Sequence, residues 1–461
     1  MKRGEKTLVG QIDPAVLAYT AGEDMQLDRV LVEVDCIGTA AHVTMLSEMP
    51  LPTPLFTSVE KDQVIAALVE IIRDHRRGHF EIQAADQDVH LAVERTLTKR
   101  LGDLGKRVHT GRSRNDQVAV DLRLFAKEQL FLLLRETADF AKVLLTFAEQ
   151  HKEVPMAGRT HLQPAMPSTL GLWASAHAES LLDDLELLQE AYRQNDRSPL
   201  GSAAGYGVPL PIDRARTSDL LGFARPIHNV LYASMARGRC ENIILMVLSQ
   251  IMLSVGRLAE DMILYVMPEF GYFRLPSAYC TGSSIMPQKQ NPDVFELTRA
   301  RSSDVLSCAL RVSGILKGLP GGYQRDLQET KAPFMEGLRL TYDTVKVLQP
   351  LMSSLEVNES ALRAGCIAEI FATDRALELV ADGVPFRDAY DRVKAEPDAL
   401  EGRDPVMAAM QKQHEGAPGG LDFAALRKRA ESTIDFVNRE TVCYHEKISM
   451  LLGVGYPVLE K

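Results

Sequence analysis

The sequence predicts an all-α protein of three domains built around long helices, and three observations carry that expectation. Gly and Pro are spread very unevenly over the 461 residues, so stretches of many helical turns contain no breaker. Within those stretches apolar residues recur at three- and four-residue steps, the period of a helix face. The apolar faces are also wider than a slender bundle can cover alone, which points to assembly with further copies. The length fits three domains of ordinary size.

Residues 1–112 read as an N-terminal domain of shorter helices. From Arg112 to Val154 there is neither Gly nor Pro, and Leu122, Phe125, Leu130, Leu133, Leu134, Phe140, Leu144 and Phe147 share one broad face. A helix of that length runs for roughly 50 Å or more. A second helix is expected over Thr169–Asn195, after the breakers of PAMPS, and a third over about Asn229–Met267 with Gly238 and Gly256 inside it. A fourth begins at Asn291-Pro292-Asp293, with Asn as N-cap, Pro in the first helical position and Asp at the positive helix start, and continues to about Gly314. A fifth covers about Pro333–Leu355. These five form a central long-helix bundle domain, 113–362. Val247, Leu248, Ile251, Met252, Leu253, Ile263 and Leu264 point several ways round the third helix, so its surplus faces should be buried in a multi-helix core shared between subunits. Residues 363–461 are richer in charge and breakers (EGRDPV, EGAPGG) and read as a C-terminal helical domain.

Composition narrows the function classes. Hydrophobic residues at 46% and charged residues at 25% are the mix of a soluble globular chain, which excludes a disordered chain, a collagen-like fibre and a small disulfide scaffold. With 52 basic against 62 acidic residues the net charge is −10, so neither nucleic acid nor an anionic membrane is an expected partner. No apolar run approaches the roughly 20 residues that cross a bilayer. The opening MKRGEKTLVGQIDPAV has no apolar signal core behind its basic residues. Cys36, Cys240, Cys280, Cys308, Cys366 and Cys443 are scattered, without CxxC or other metal-ligand spacing, and read as reduced thiols of a cytoplasmic protein.

Three breaker-rich segments carry more polar groups than a helix connection needs: HTGRSRNDQ (109–117), GRTHLQPAMP (158–167) and TGSSIMPQKQNPD (281–293). In the third, Ser283 or Ser284 offers a nucleophile or, once acidified, a base. Lys289 and the helix start at Asn291 offer positive charge and N–H groups to a carboxylate. Taken singly, each segment has a bland alternative: a mobile Ser/Pro loop, a solvated loop histidine at His161, a solvated basic helix end at 98–116. A nucleic-acid patch at 98–116 is excluded by the overall charge and the lack of interleaved aromatics.

The spacing GSSxMPxKxNP, intact at 282–292, removes that ambiguity. With it the sequence resembles the fumarase/aspartase superfamily, whose members eliminate an amine or water from a substituted succinate to give fumarate. HTGRSRNDQ, together with DLQETK at 326–331, is similar to the argininosuccinate lyase family in particular, and fits neither adenylosuccinate lyase nor fumarase. The resemblance runs from roughly Asp28 to Tyr390. It implies elimination of N-(L-arginino)succinate to fumarate and L-arginine by general acid/base catalysis, the last step of arginine biosynthesis. No metal or organic cofactor is implied. The family forms homotetramers whose central helices make one bundle and whose sites draw loops from three subunits. His161 is implied as part of the acid/base pair, and Ser283 as the base that takes the proton from the carbon beside the succinyl carboxylate. Lys289 and Asn291 are implied as stabilisers of the doubly charged aci-carboxylate. Asn115 and Thr160, with Ser113 and Arg114 beside them, are implied to hold the dicarboxylate end. Tyr323, Gln328 and Lys331 are implied contacts to the arginine end and its α-carboxylate.

Some positions depart from the family pattern. Thr39, in Gly38-Thr39-Ala40-Ala41-His42, keeps the hydroxyl of the family's Gly-Ser-x-Ala-His and is a substrate-contact candidate. Gln324 and Thr330 replace an Asn and an Asp on the arginine side, and the family's Gly-Gly-Arg-Phe opening is missing. Asp88, His90 and Glu94 in DVHLAVE read as helix-face and site-shaping residues, His90 equally as a structural histidine, and Trp173 as packing. Two other readings stay open: a carbon–nitrogen lyase for another N-substituted aspartate, and a crystallin-like structural relative without activity.

Overall fold

Breaker-free stretches become helices in the computed structural model, which describes residues 13–83 and 86–458. The opening segment examined for a signal core therefore lies largely outside the described residues. The N-terminal region supplies α1 (Val32–Glu48), α2 (Ser58–Arg76) and α3 (Val89–Leu101). Every residue of α1 from Val34 to Leu46 is buried, so it runs through the core and turns no side to solvent. Thr57 and Glu60 close a capping box at the start of α2.

The spine is α4 (Arg114–Gln150), 37 residues and about 55 Å long. It is followed by α5 (Leu170–Asn195), with Thr169 as its N-cap. The expected third helix is two helices. A short one, Val230–Met235, precedes α6 (Arg239–Tyr265), and the break falls at Gly238, whose φ is +79°. Such a backbone is open to glycine and strained for other residues. A Cβ there would also sit 2.6 Å from Leu316.

The fourth helix, α7 (Asp293–Leu316), starts after Pro292. Asn291 is not its capping side chain: the Asn291 amide donates to Thr281 Oγ1 at 3.4 Å and its backbone N–H to Thr281 O at 2.9 Å. The cause is an antiparallel bridge between Thr281 and Asn291 that extends the backbone there and delays the helix. The fifth, α8 (Lys331–Ser353), carries Pro350 in its last turn.

Two elements are not foreseen by the breaker pattern. A hairpin, β1 (Pro155–Thr160) paired antiparallel with β2 (Gln163–Thr169), leads from α4 to α5. A 30-residue helix, α9 (Phe423–Leu452), returns to the spine. There Tyr444 meets Phe131 at 6.2 Å and Arg427 pairs with Glu149 at 2.5 Å. Between these two helices Lys127 is fully buried, its ammonium 2.6 Å from Asp196 and facing the rings of Tyr192, Phe223 and Tyr444.

One large apolar core joins α1 to α9. A second, small cluster around Ile370, Phe371, Leu379 and Val393 takes in Ala157 of β1, so this C-terminal unit grips the hairpin. Lys412 reinforces the grip, its Nζ 2.8 Å from Pro167 O.

Against the sequence expectation, two helical stretches are long and apolar enough to cross a membrane by length and composition, Asp24–Glu48 and Arg239–Tyr265. In the first, 83% of the apolar window is buried inside the protein, and in the second only 50%. Met246 and Leu253 lie on the uncovered side of α6. Among the described residues all six cysteines are free thiols.

Candidate active-site segments

The start of α4 is the most heavily tied of the three segments. Ser113 caps the helix, its Oγ accepting from Asn115 N at 3.3 Å, and Asp116 returns the bond from Ser113 N at 2.9 Å. The other oxygen of Asp116 accepts from Gly201 N and Ala203 N, at 3.0 and 2.9 Å, and so pins the 198–205 loop to the helix start. Burial pushes the Asp116 carboxyl up to about 6, against these N–H donors. Arg114 pairs with Asp88, the N-cap of α3, at 2.9 Å. Asn115 is half-buried at the helix start. Thr39 is fully buried on α1 and its hydroxyl accepts from Arg112 at 3.0 Å, which places it behind this surface.

Beneath Arg112 lies a buried polar cluster around His90 of DVHLAVE, whose partners come from other elements. His90 Nδ1 is 2.6 Å from Asp35 and 3.7 Å from Asp121. Burial acts to lower the His90 imidazole, but the carboxylates of Asp35, then Asp88 and Asp28, together override it and the net shift is upward. Burial, then Asp35, raise Asp121 well above the usual carboxylate range. The three side chains could hold a cation by geometry, their ligand atoms lying within 4.8 Å of one another. The Arg112 guanidinium already supplies positive charge beside them.

The second segment forms the hairpin tip. His161 and Leu162 both have positive φ, 54° and 62°, the backbone of a two-residue turn that Asn-Gly would adopt without strain. Arg159 holds the turn: its Nη1 donates to Leu162 O at 2.9 Å while its guanidinium lies 4.9 Å from the Phe270 ring. Thr160 and His161 are exposed, and among the described residues no hydrogen bond restrains the imidazole.

The third segment is a loop with a tied neck and an open tip. Thr281 Oγ1 donates to Asp293 at 2.5 Å across the neck. At the tip the N–H groups of Ile285 and Met286 donate to Ser283 Oγ, at 3.3 and 3.1 Å. Lys289 is exposed and lines a cleft of about 860 Å³ together with Cys280, Phe273 and Arg274. A second cleft, of about 710 Å³ between α2 and the end of α9, is lined by none of the residues singled out from the sequence.

Tyr323, Gln328 and Lys331 lie where the chain enters α8, against the N-terminal segment. Arg325 and Gln328 donate to Thr20 O, at 2.6 and 3.1 Å. Lys331 is buried between Asp24 and Asp28, at 3.0 and 2.5 Å. Asp28 in turn accepts from Val89 N, which ties this group to the start of α3 and hence to Arg114.

The structure therefore gathers the residues into two groups, not one. Ser113, Arg114, Asn115, Tyr323, Gln328 and Lys331, with Thr39 behind them, sit at the leading end of α4. Thr160, His161, Ser283, Lys289 and Asn291 sit beyond its trailing end, where Trp173 and Phe273 stack at 5.5 Å. The 37 residues between separate the groups by about 55 Å. Asp24, Asp28 and the His90 cluster are the site-end residues that sequence reasoning missed as partners. They come from elements distant in sequence.

Residues 18–307 match the lyase family. A protein of Bacteroides thetaiotaomicron described as argininosuccinate lyase is 40% identical over 433 residues, covering 93% of this chain and 96% of its own. One of Sorangium cellulosum with the same description is 42% identical over 422 residues, covering 92% and 97%. Among solved structures, an EDDS lyase variant with bound fumarate superposes with a TM-score of 0.79 at 21% identity, covering 96% of this chain and 95% of that one. A class II fumarase of Schistosoma mansoni gives 0.69 at 16% identity, covering 89% and 99%. At such identities these two establish a shared all-α fold and nothing finer.

Proposed function

The chain belongs to the argininosuccinate lyase family, and from that premise we propose that it cleaves N-(L-arginino)succinate to fumarate and L-arginine in arginine biosynthesis. The observation that carries the reading is about 40% identity maintained over 93% of the chain, beside the intact GSSxMPxKxNP spacing at 282–292 that contains Ser283, Lys289 and Asn291.

In the proposed mechanism Ser283 removes the proton from the carbon beside the succinyl carboxylate. A serine is a weak base unaided. The N–H groups of Ile285 and Met286 at its Oγ support this role, because they favour the deprotonated oxygen. The electrons from the broken C–H bond spread into the adjacent carboxylate, which becomes a dianion, with Lys289 and Asn291 as the assigned stabilisers. They then form the double bond of fumarate as the C–N bond breaks. His161 supplies the proton to the departing guanidino nitrogen, so that arginine leaves in neutral form at that atom. Asn115, Ser113, Arg114 and Thr160 are assigned to the dicarboxylate end of the substrate, and Tyr323, Gln328 and Lys331 to the neighbourhood of the arginine end.

Assembly is part of the same proposal. The two groups of residues stand about 55 Å apart along one chain, so a complete site draws on more than one copy, and a homotetramer with shared sites meets that requirement. Leu187, Met246, Leu253, Leu297, Leu306 and Leu310, exposed on α5, α6 and α7, support it as candidate contact residues. We assign the division into 1–112, 113–362 and 363–461, and a cytoplasmic location suited to free thiols, on the same footing.

The test is ultraviolet detection of fumarate from the purified protein with argininosuccinate, and separately with aspartate, adenylosuccinate and malate. Fumarate from argininosuccinate alone is expected. Fumarate from none of them in a folded protein would sink the activity and favour the crystallin-like alternative. Fumarate from another substrate would retire arginine as the leaving group.

A further inference from the structure

Two residues at the hairpin tip hold a backbone that neither side chain favours. His161 and Leu162 have φ of 54° and 62°, where a Cβ is crowded by its own peptide. Strain of this kind persists only where the surroundings impose it, and it gathers at working sites. Packing does not impose it here, because Leu162 is 69% exposed. The ribbon alone does not either, because the register shifts between Gly158 and Arg159, which interrupts the ladder just behind the tip. Among the described residues no hydrogen bond restrains the His161 imidazole, so its position is inherited from the backbone of the turn.

Arg159 supplies the missing tie. Its Nη1 donates to Leu162 O at 2.9 Å, and among the described residues no other side chain hydrogen-bonds to the turn. Its Nη2 donates to the Tyr272 hydroxyl at 3.4 Å, and its guanidinium carbon lies 4.9 Å from the centre of the Phe270 ring. Phe270 and Tyr272 pack in turn on Tyr265 of α6, at 5.7 and 5.4 Å between ring centres. Gly271 and Phe273 of the same segment line the cleft that Lys289 also lines. The Arg159 Nε is sealed from solvent without a hydrogen-bond partner, so this placement is held at a cost. One planar cation thus ties the turn to a wall of packed rings through several contacts at once, which a single-point ammonium could not do.

We propose that Arg159 is a positioning residue for His161: by clamping the Leu162 carbonyl to the Phe270–Tyr272 wall it fixes the left-handed turn and so aims the imidazole at the leaving nitrogen. Arg159 touches no reacting atom in this role. The inference rests on the proposed lyase reaction, with His161 as its acid, and deepens it by naming what holds that acid in place. An acid that takes its position from its backbone is sensitive to the turn, since a misplacement of about 1 Å costs as much as ~100-fold in rate.

The experiment is a double-mutant cycle on fumarate release from argininosuccinate, with wild type, Arg159→Met, His161→Asn and the double variant. Arg159→Met keeps an apolar stem against Phe270 and loses the donors. It is expected to lower kcat by about 30- to 100-fold and to leave KM within about twofold. In the His161→Asn protein the same change should cost less than about twofold, because the residue it acts through is gone. Arg159→Lys keeps one donor for the Leu162 carbonyl and should recover about tenfold of the loss. A merely structural Arg159 would slow both backgrounds alike, and that result overturns the inference. So does a raised KM at unchanged kcat, which would make Arg159 a substrate contact, and so does a His161→Asn protein with wild-type turnover. Where His161→Asn leaves no measurable rate, the split between kcat and KM and the recovery by Arg159→Lys decide, and a loss that Lys does not recover overturns the inference. Should Arg159→Met fail to fold by circular dichroism, the cycle is run with Arg159→Lys, where no loss in kcat, or equal losses in both backgrounds, overturns it. Wild-type protein that releases no fumarate fails the parent reading, a different outcome from equal losses.

Discussion

His90 sits 2.6 Å from Asp35 in a buried cluster, and its imidazole is shifted above the ordinary value of 6.5. A folded value above the unfolded one means that the pair stabilises fully below about pH 6.5 and loses that contribution as pH rises through the folded value. Wild-type protein should therefore exceed His90→Gln by about 2 kcal/mol near pH 6, and the gap in melting temperature should narrow towards pH 9. A gap that widens with pH would mean a neutral His90. At Ser283 the expectation concerns rate, not stability. Ser283→Ala should cut turnover by about 100- to 10,000-fold while substrate binding and assembly persist, as calorimetry and sedimentation would report. Near-normal turnover would move the base role to Ser284 or His161.

Elements were legible where the chain writes long runs without Gly or Pro. α4, α5 and α8 begin and end within a few residues of where breakers and caps put them. α9 escaped notice because its buried positions include Ala430, Thr433 and Tyr444, small or polar residues that make a faint stripe among many charges. The hairpin escaped because Pro155, Pro164 and Pro167 argue against strands, and the short ribbon is held from outside by the 366–412 unit. Gly238 was read as a tolerated helix interior, whereas its positive φ makes it the break that turns Arg237 towards Tyr323. Gly238→Ala must strain that backbone and press on Leu316 at 2.6 Å and Leu327 at 3.3 Å. It should lose about 1–3 kcal/mol in urea unfolding, and a variant as stable as wild type would show that the break can close.

At the scale of the molecule, the sequence named the polar segments but held no information on how far apart they fold. Motif spacing is local, whereas the separation of Asn115 from Ser283 is set by a 37-residue helix. This geometry predicts rescue between two dead proteins. Asn115→Leu and Ser283→Ala carry lesions at opposite ends, so subunits mixed at random should regain roughly a quarter of wild-type turnover. Mixtures that stay inactive despite confirmed exchange of subunits would place both residues in the same copy's contribution to a site.

The return of α9 to the spine has a consequence for how the protein is made. Phe131 waits for Tyr444 and Glu149 for Arg427, across some 300 residues of chain still to be synthesised. A ribosome paused before Phe423 holds a nascent chain whose spine has one flank bare. α9 closes the core long after the spine has emerged, so truncation before Phe423 would strike the centre of the molecule and not its edge.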